Sequence, residues 1–282
     1  MSEQGTAVHL AYDWMIVMYF FFGGVSAGAF MFSVMANYRW KQEFKPLAKT
    51  GAILSLLALG IGMFMLLIHL GNPLRAWRVF TAFNPQSMLS WGVWLLNIFG
   101  LLNFIYTALL FMGKEKTAKL FGCVGLFFAL FTALYTAVHI ARAPDKLLWH
   151  STLLPVLFVN GSIISGIAVV MLFSATAKNM GLLVRLGRLV AWLVIIEIGL
   201  VLTEVLMLFN GGTESIAVAK SLFSGEIGVL FLGVEVILGA IVPAIILLGS
   251  KRSVFLHALA SILILIGIYT MRYMVVVGGQ LI

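Results

Sequence analysis

Cysteine is almost missing from this chain: Cys123 is alone in 282 residues. One thiol closes no intramolecular disulfide and holds no cysteine-ligated iron–sulfur cluster, and without a CxxCH there is no covalently attached haem. Cys123 reads as a small apolar packing residue inside a hydrophobic stretch. Charge is scarce too, at 10% of residues against 62% hydrophobic, a balance no soluble core of this size requires. Long polar segments are lacking. The longest connections between apolar stretches, Asn72–Met88 and Asn210–Ser224, are too short to bury a core of their own, so catalysis in water is left to another polypeptide. No positively charged leader with a small-residue cleavage site precedes the first apolar stretch, which is therefore expected to stay in the mature protein. Of the six prolines, Pro243 alone falls well inside an apolar stretch.

What is present is hydrophobic length. Trp14–Tyr38, Thr50–Gly71, Leu89–Met112, Ala118–His139, Thr152–Ala175, Arg188–Phe209, Gly225–Leu248 and Val254–Val277 each supply the ~20 apolar helical residues that a hydrocarbon layer of ~30 Å demands. Strands are excluded, because an open sheet leaves backbone groups unpaired in lipid and no stretch alternates as a barrel strand does. The expected fold is an all-α integral membrane protein of eight transmembrane helices. It forms one membrane domain over residues 1–282, with possible halves at 1–145 and 146–282. Basic residues set the expected orientation. Connections after even-numbered helices hold only Arg75, Arg78, Arg142, Lys146 and Lys220, whereas those after odd-numbered helices hold most of the eighteen lysines and arginines. The positive-inside rule puts the odd connections in the cytoplasm and both termini outside. The net charge of +8 is then a signal of topology, not of a nucleic-acid partner.

Gly24-Val25-Ser26-Ala27-Gly28 satisfies the GxSxG pattern of hydrolases, but that motif needs a strand-to-helix turn and here lies within a membrane helix. Close helix packing explains Gly23, Gly24, Ser26, Gly28 and Ala29 better. A similar string, Gly161-Ser162-Ile163-Ile164-Ser165-Gly166, occupies the fifth stretch, which runs in the direction of the first. The match hints at two four-helix bundles in parallel arrangement.

Polar residues in or beside lipid are costly unless paired or facing a cavity. They collect on the outer side: His9, Tyr12, Asp13, His69, Tyr135, His139, Glu204, Arg272, Tyr273 and Gln280. His9 and Asp13 are four apart, as are Tyr135 and His139, so each pair shares a helix face. Interfacial enrichment of Tyr, Trp and His accounts for any one of them, but poorly for acid, base and phenol gathered at one face. Deeper lie Glu197 and Glu204, seven residues and ~10.5 Å of rise apart on one stripe, and Glu235 near the middle of the seventh stretch. Such a ladder suits a proton relay or, equally, carboxyls hydrogen-bonded to neighbouring helices or paired with Arg272. In the second connection, Arg75 and Arg78 flank Trp77, a set that suits lipid headgroups or a docked partner.

The stretches Phe21–Phe30 and His69–Phe80, then Asn84-Pro85 with Ser90-Trp91-Gly92, Tyr135-Thr136, and Arg272-Tyr273 through Gly279-Gln280 resemble the NrfD/PsrC family of quinone-interacting membrane subunits. The likeness covers essentially the whole chain. It implies a subunit of a bacterial cytoplasmic (inner) membrane that binds menaquinone or ubiquinone near the outer face and carries no haem, iron–sulfur cluster or metal of its own. It also implies docking, through Arg75, Trp77 and Arg78, against a ferredoxin-like subunit with several [4Fe–4S] clusters that leads to a molybdopterin catalytic subunit. The chain departs from the family pattern at His69-Leu70-Gly71, where Asp-Leu-Gly is frequent, and at Ala137, where Gly is common.

Quinol oxidation releases two electrons and two protons, so hydrogen-bonding bases are needed beside the two oxygens. The expected quinone residues are His69 and Tyr135, with His9 or Asp13 opposite and Arg272 in support; Glu197, Glu204 and Glu235 are the expected relay. Two rival classes stand beside this reading. One is a b-haem anchor ligated by His69 and His139. The other is a proton-coupled transporter using the three glutamates, whose expected broken helices are not evident.

Overall fold

The computed structural model describes residues 12–38, 40, 42–69, 84, 86–141, 146–176, 179–249 and 253–281. Among them every regular element is helical, and eight helices are long and apolar enough to cross a membrane. They are α1 (Trp14–Tyr38), α2 (Lys45–His69), α3 (Met88–Phe111), α4 (Glu115–Ala141), α5 (Leu154–Phe173), α6 (Met180–Phe209), α7 (Gly225–Gly249) and α8 (Val254–Leu281). Helix is the required answer in lipid, because each segment satisfies its own backbone. The ends are shaped locally: Ser253 accepts a hydrogen bond from the Leu256 amide to cap α8, and Pro155 opens α5 where its missing N–H costs nothing. Gly113, at φ 73°, turns the chain tightly from α3 into α4.

The spans run alternately up and down, so the start of α1 shares one face of the molecule with the ends of α2, α4, α6 and α8. We call this the N-terminal face. A short helix, Thr213–Ser221, lies on it between α6 and α7.

α1 and α5 are the centre of the molecule. Buried residues make up 72% of an apolar 18-residue stretch within α1 and 67% of one within α5, against 28–44% in the other six. α1 packs on α2, α4 and α5, α3 on α4, and α8 on α5 and α7. The two small-residue strings meet directly: a Cβ on Gly28 would run into the Ser162 carbonyl, and one on Gly166 into the Gly28 backbone. Backbone contact of this kind is how helices associate when lipid offers no hydrophobic drive. Gly24 does a different job. A Cβ there would stand 2.6 Å from Nη2 of Arg272, so the missing side chain is the room the guanidinium occupies.

Polar pairs stitch α1, α2 and α3 together. Asn103 Nδ2 donates to Ser55 Oγ at 2.7 Å, which in turn donates to the Ser26 carbonyl at 2.8 Å. Ser33 donates to the Ala48 carbonyl at 2.6 Å and lies 3.1 Å from the Tyr106 hydroxyl. Two stretches, Val229–Ile241 in α7 and Met274–Gly278 in α8, are π-helical, with turns one residue wider than α. The first carries Glu235 and crosses α8 where Gly239 touches Gly267.

Candidate functional site

At the N-terminal face the start of α1 is fixed by its own acid. Asp13 Oδ1 accepts from the amides of Met15 at 3.0 Å and Ile16 at 3.3 Å, and lies 3.1 Å from Nδ1 of His69, the last residue of α2. An acid at a helix start and an imidazole at a helix end both complement the helix dipoles. The two side chains are 37% and 30% exposed, so the pair is reachable from outside the bundle.

Beside it, Tyr12 is clasped by the far end of the polypeptide. Its N–H donates to Gln280 Oε1 at 3.1 Å and its carbonyl accepts from Gln280 Nε2 at 2.9 Å, while Lys146 Nζ donates to the Gln280 carbonyl at 2.7 Å. The Tyr12 hydroxyl lies 3.4 Å from His139 Nε2, and the Tyr135 hydroxyl 3.5 Å from His139 Nδ1. Tyr135 donates to the Met88 carbonyl at 2.9 Å, so its oxygen is left to accept from Nδ1–H, and Nε2 of neutral His139 is left to accept from Tyr12. The result is two phenols joined through one imidazole. Burial pushes the Tyr12 phenol above its usual pKa, which keeps it a proton donor. Gly92 admits the Tyr135 ring, since a Cβ there would run into it. A cavity of about 30 Å³ opens between Tyr12, Tyr19, Phe20, Tyr135 and His139, and Leu66, one turn before His69, forms part of its wall.

Arg272 stands apart from this cluster. It is fully buried between α8, α5 and α1, donating from Nη2 to the Phe158 carbonyl at 3.2 Å and Ser162 Oγ at 2.9 Å, with the guanidinium 4.3 Å above the Phe158 ring. Its Nε and Nη1 have no hydrogen-bond partner among the described residues. Glu197 Oε2 accepts from Asn160 Nδ2, and its Oε1 is buried without a partner among the described residues.

The three glutamates follow a row of cavities. Glu204 lines a pocket of about 140 Å³ at the N-terminal face with His150, Ser151 and Ser215. Glu204 and Glu235 both line the next, of about 40 Å³, and Glu235 and Glu197 both line the third and largest of the row, of about 190 Å³.

The structure thus joins Asp13 to His69, and places Tyr135 with His139 and Tyr12 immediately alongside. His9, Arg75, Trp77 and Arg78 lie outside the described residues. Sequence reasoning misses Asn160; an asparagine inside the apolar stretch Leu154–Phe173 is the available signal. It reads His139 as one of the outer-face polar residues, a helix-face neighbour of Tyr135 and a rival haem ligand, not as the residue that links the two phenols. Both His139 and His69 have side-chain partners here. Among the described residues, no three His, Cys, Asp or Glu side chains are grouped to hold a metal ion.

Fold and site together define a multi-pass membrane protein with a titratable cluster at one face and a file of carboxyls inside. Comparison with known proteins makes this specific: the chain belongs to the family described as polysulphide reductase, NrfD, which matches residues 2–282. It is 26% identical to a selenate reductase subunit from Mesobacillus selenatarsenatis over 93% of its own length and 72% of that protein's. It is 24% identical to a polysulfide reductase polypeptide from Wolinella succinogenes, covering 96% and 95%. It is 23% identical to the Hdr-like menaquinol oxidoreductase integral membrane subunit of Archaeoglobus fulgidus, covering 92% and 68%.

Proposed function

We propose that this chain is the membrane anchor and quinone-binding subunit of a respiratory oxidoreductase complex. It exchanges electrons between menaquinone or ubiquinone and an iron–sulfur partner, in a bacterial inner membrane with both termini periplasmic. The observation that carries this reading is the adjacency of the Asp13–His69 pair to the Tyr12–His139–Tyr135 series at one face of a membrane bundle. Relatives named as reductase subunits and as a menaquinol oxidoreductase integral membrane subunit support it.

The residues suit a quinone's two oxygens. The 30 Å³ cavity has room for an edge of a quinone ring rather than the whole, so Tyr12 and the partly exposed Asp13–His69 pair would hold the ring at its mouth. When bound, a quinol supplies two electrons and two protons. Everything else falls to the protein. His69 accepts a proton at its free ring nitrogen and Asp13, already held by the helix start, steadies the imidazolium. On the other side Tyr135 fixes the tautomer of His139, so that Nε2 and the Tyr12 hydroxyl form a donor–acceptor pair facing the cavity. The face is also the surface for a ferredoxin-like subunit with several [4Fe–4S] clusters, reached through Arg75, Trp77 and Arg78, which connects to a molybdopterin subunit. Glu204, Glu235 and Glu197 carry protons inward along their cavities, and Arg272 balances charge on Glu197.

Mass spectrometry of what co-purifies with the protein, gently extracted from its native membrane, tests the assignment. A multi-cluster ferredoxin-like protein with a molybdopterin subunit is expected; a polypeptide recovered alone contradicts it.

A further inference from the structure

Tyr12 brings a hydroxyl to the N-terminal face cluster, yet it stands outside any helix. α1 begins at Trp14 and is capped by Asp13, so no helical ladder fixes the Tyr12 backbone. The end of α8 supplies what α1 does not. Gln280 meets the Tyr12 peptide groups with both ends of its amide, Oε1 accepting from the Tyr12 N–H at 3.1 Å and Nε2 donating to the Tyr12 carbonyl at 2.9 Å. The second N–H of that amide goes to the Val276 carbonyl at 2.8 Å. Only this orientation of the amide satisfies every contact, since the reverse would set its oxygen against two carbonyls. Lys146 Nζ in turn holds the Gln280 carbonyl at 2.7 Å.

The Tyr12 ring is held as closely as its backbone. It stands edge-on to His139, at 5.9 Å between centroids and 71°, and to Trp149, at 6.0 Å and 67°. Trp149 is itself fixed: it is buried, its Nε1 donates to the Val275 carbonyl at 2.7 Å, and Gly279 leaves room for its indole, where a Cβ would stand 2.5 Å from Nε1. Both anchoring carbonyls, Val275 and Val276, belong to the π-helical run Met274–Gly278, a form of turn frequent at functional sites. All of these contacts converge on one residue, whose hydroxyl lies 3.4 Å from His139 Nε2. That separation is already long for a hydrogen bond, so it tolerates little further displacement.

We propose that Gln280 and Trp149 are positioning residues of the N-terminal face cluster: Gln280 sets where the Tyr12 backbone stands, Trp149 sets the tilt of its ring, and both act on a bound quinone through the Tyr12 hydroxyl. The proposal rests on the quinone reading of that cluster. Groups that bind or react must be held by neighbours whose own packing and hydrogen bonds are locked, and a misplacement of about 1 Å can cost about a hundredfold in rate. Tyr12 has no helix of its own to provide this, and Gln280 and Trp149, each tied to the same turn of α8, provide it together.

The test is a double-mutant cycle on affinity for a short-tailed naphthoquinone, measured with the intact native complex in lipid nanodiscs. Gln280→Met keeps the length of the side chain and removes the contacts of its amide with Tyr12 and Val276, whereas Tyr12→Phe removes the hydroxyl alone. Each single substitution is expected to weaken binding about tenfold, and Gln280→Met to change affinity by less than about twofold once Tyr12 is already Phe. A purely structural tie between the two ends of the polypeptide would not give that non-additivity. Trp149→Phe, which keeps a ring and removes the indole N–H, enters the same cycle with an expected loss of about threefold, and decides the matter if Gln280→Met fails to assemble. Full affinity in the assembled Gln280→Met and Trp149→Phe variants, or losses that add to that of Tyr12→Phe, overturns the inference and leaves the quinone reading standing. Full affinity in Tyr12→Phe overturns the quinone reading of that hydroxyl, and the inference falls with it.

Discussion

Asp13 and His69 meet across the ends of two antiparallel helices: one carboxylate oxygen caps the start of α1 and stands 3.1 Å from the imidazole that ends α2. The same atom thus holds the helix start and faces the imidazole. These can be separated by substitution, since asparagine caps a helix about as well as aspartate but carries no charge.

Asp13→Asn is accordingly expected to leave assembly and thermal stability nearly unchanged while slowing quinol-linked electron transfer about tenfold. His69→Ala is expected to slow it by at least about a hundredfold, the usual worth of a placed acid–base group, again with partners still bound. Steady-state quinol oxidation by the purified complex, with subunit stoichiometry checked alongside, measures both. Normal turnover in His69→Ala would remove that residue from the site.

Tyr135→Phe keeps the ring against Gly92 and deletes the hydroxyl that donates to the Met88 carbonyl and faces His139. The expected loss of stability is about 1 kcal/mol, typical of one hydrogen bond. Electron transfer is expected to fall further than that loss explains, because His139 loses the partner that sets its tautomer. Tyr12→Phe should share the kinetic defect. Thermal unfolding in detergent and turnover on the same preparations decide between the two effects.

Gly28→Leu forces a side chain into the Ser162 carbonyl, where α1 and α5 touch through their backbones. Overpacking of this kind costs about 1–3 kcal/mol or more, and since these are the two most buried spans the whole bundle is affected. Reduced accumulation in the membrane and a lower unfolding temperature are expected. Gly23→Ala, five residues away, meets nothing within 4 Å and is the control.

Arg272→Met removes the guanidinium that donates to the Phe158 carbonyl and Ser162 Oγ and stacks on the Phe158 ring, and is expected to destabilise the protein, since both acceptors are left buried. Adding Glu197→Gln should restore part of the loss, a coupling of about 0.5–3 kcal/mol in a double-mutant cycle. Additive losses would show that the two groups act independently.

Much of this architecture can be read from the residues alone. Hydropathy locates all eight spans, and the small residues at Gly28 and Gly166 mark the helices that prove central. Spacing along one helix is enough to place Tyr135 beside His139. Contacts between helices are harder. Nothing in the order of residues says that His69 reaches Asp13, that Gln280 clasps Tyr12 from the other end of the polypeptide, or that Arg272 turns inward to Ser162 and Phe158. Those depend on the rotation of each helix about its axis, which in lipid is set by small-residue packing and a few polar pairs, not by an amphipathic stripe. The π-helical widening around Glu235 escapes for a related reason: hydropathy registers apolar content, not the width of a turn.

The most direct test of the central claim is equilibrium binding of a short-tailed naphthoquinone to the native complex in nanodiscs, comparing unmodified protein with His69→Ala and His139→Ala variants. The cluster at the N-terminal face predicts that both substitutions weaken the same binding event by at least about tenfold while the partner subunits remain attached. Full affinity in both variants, with the complex intact, would contradict it.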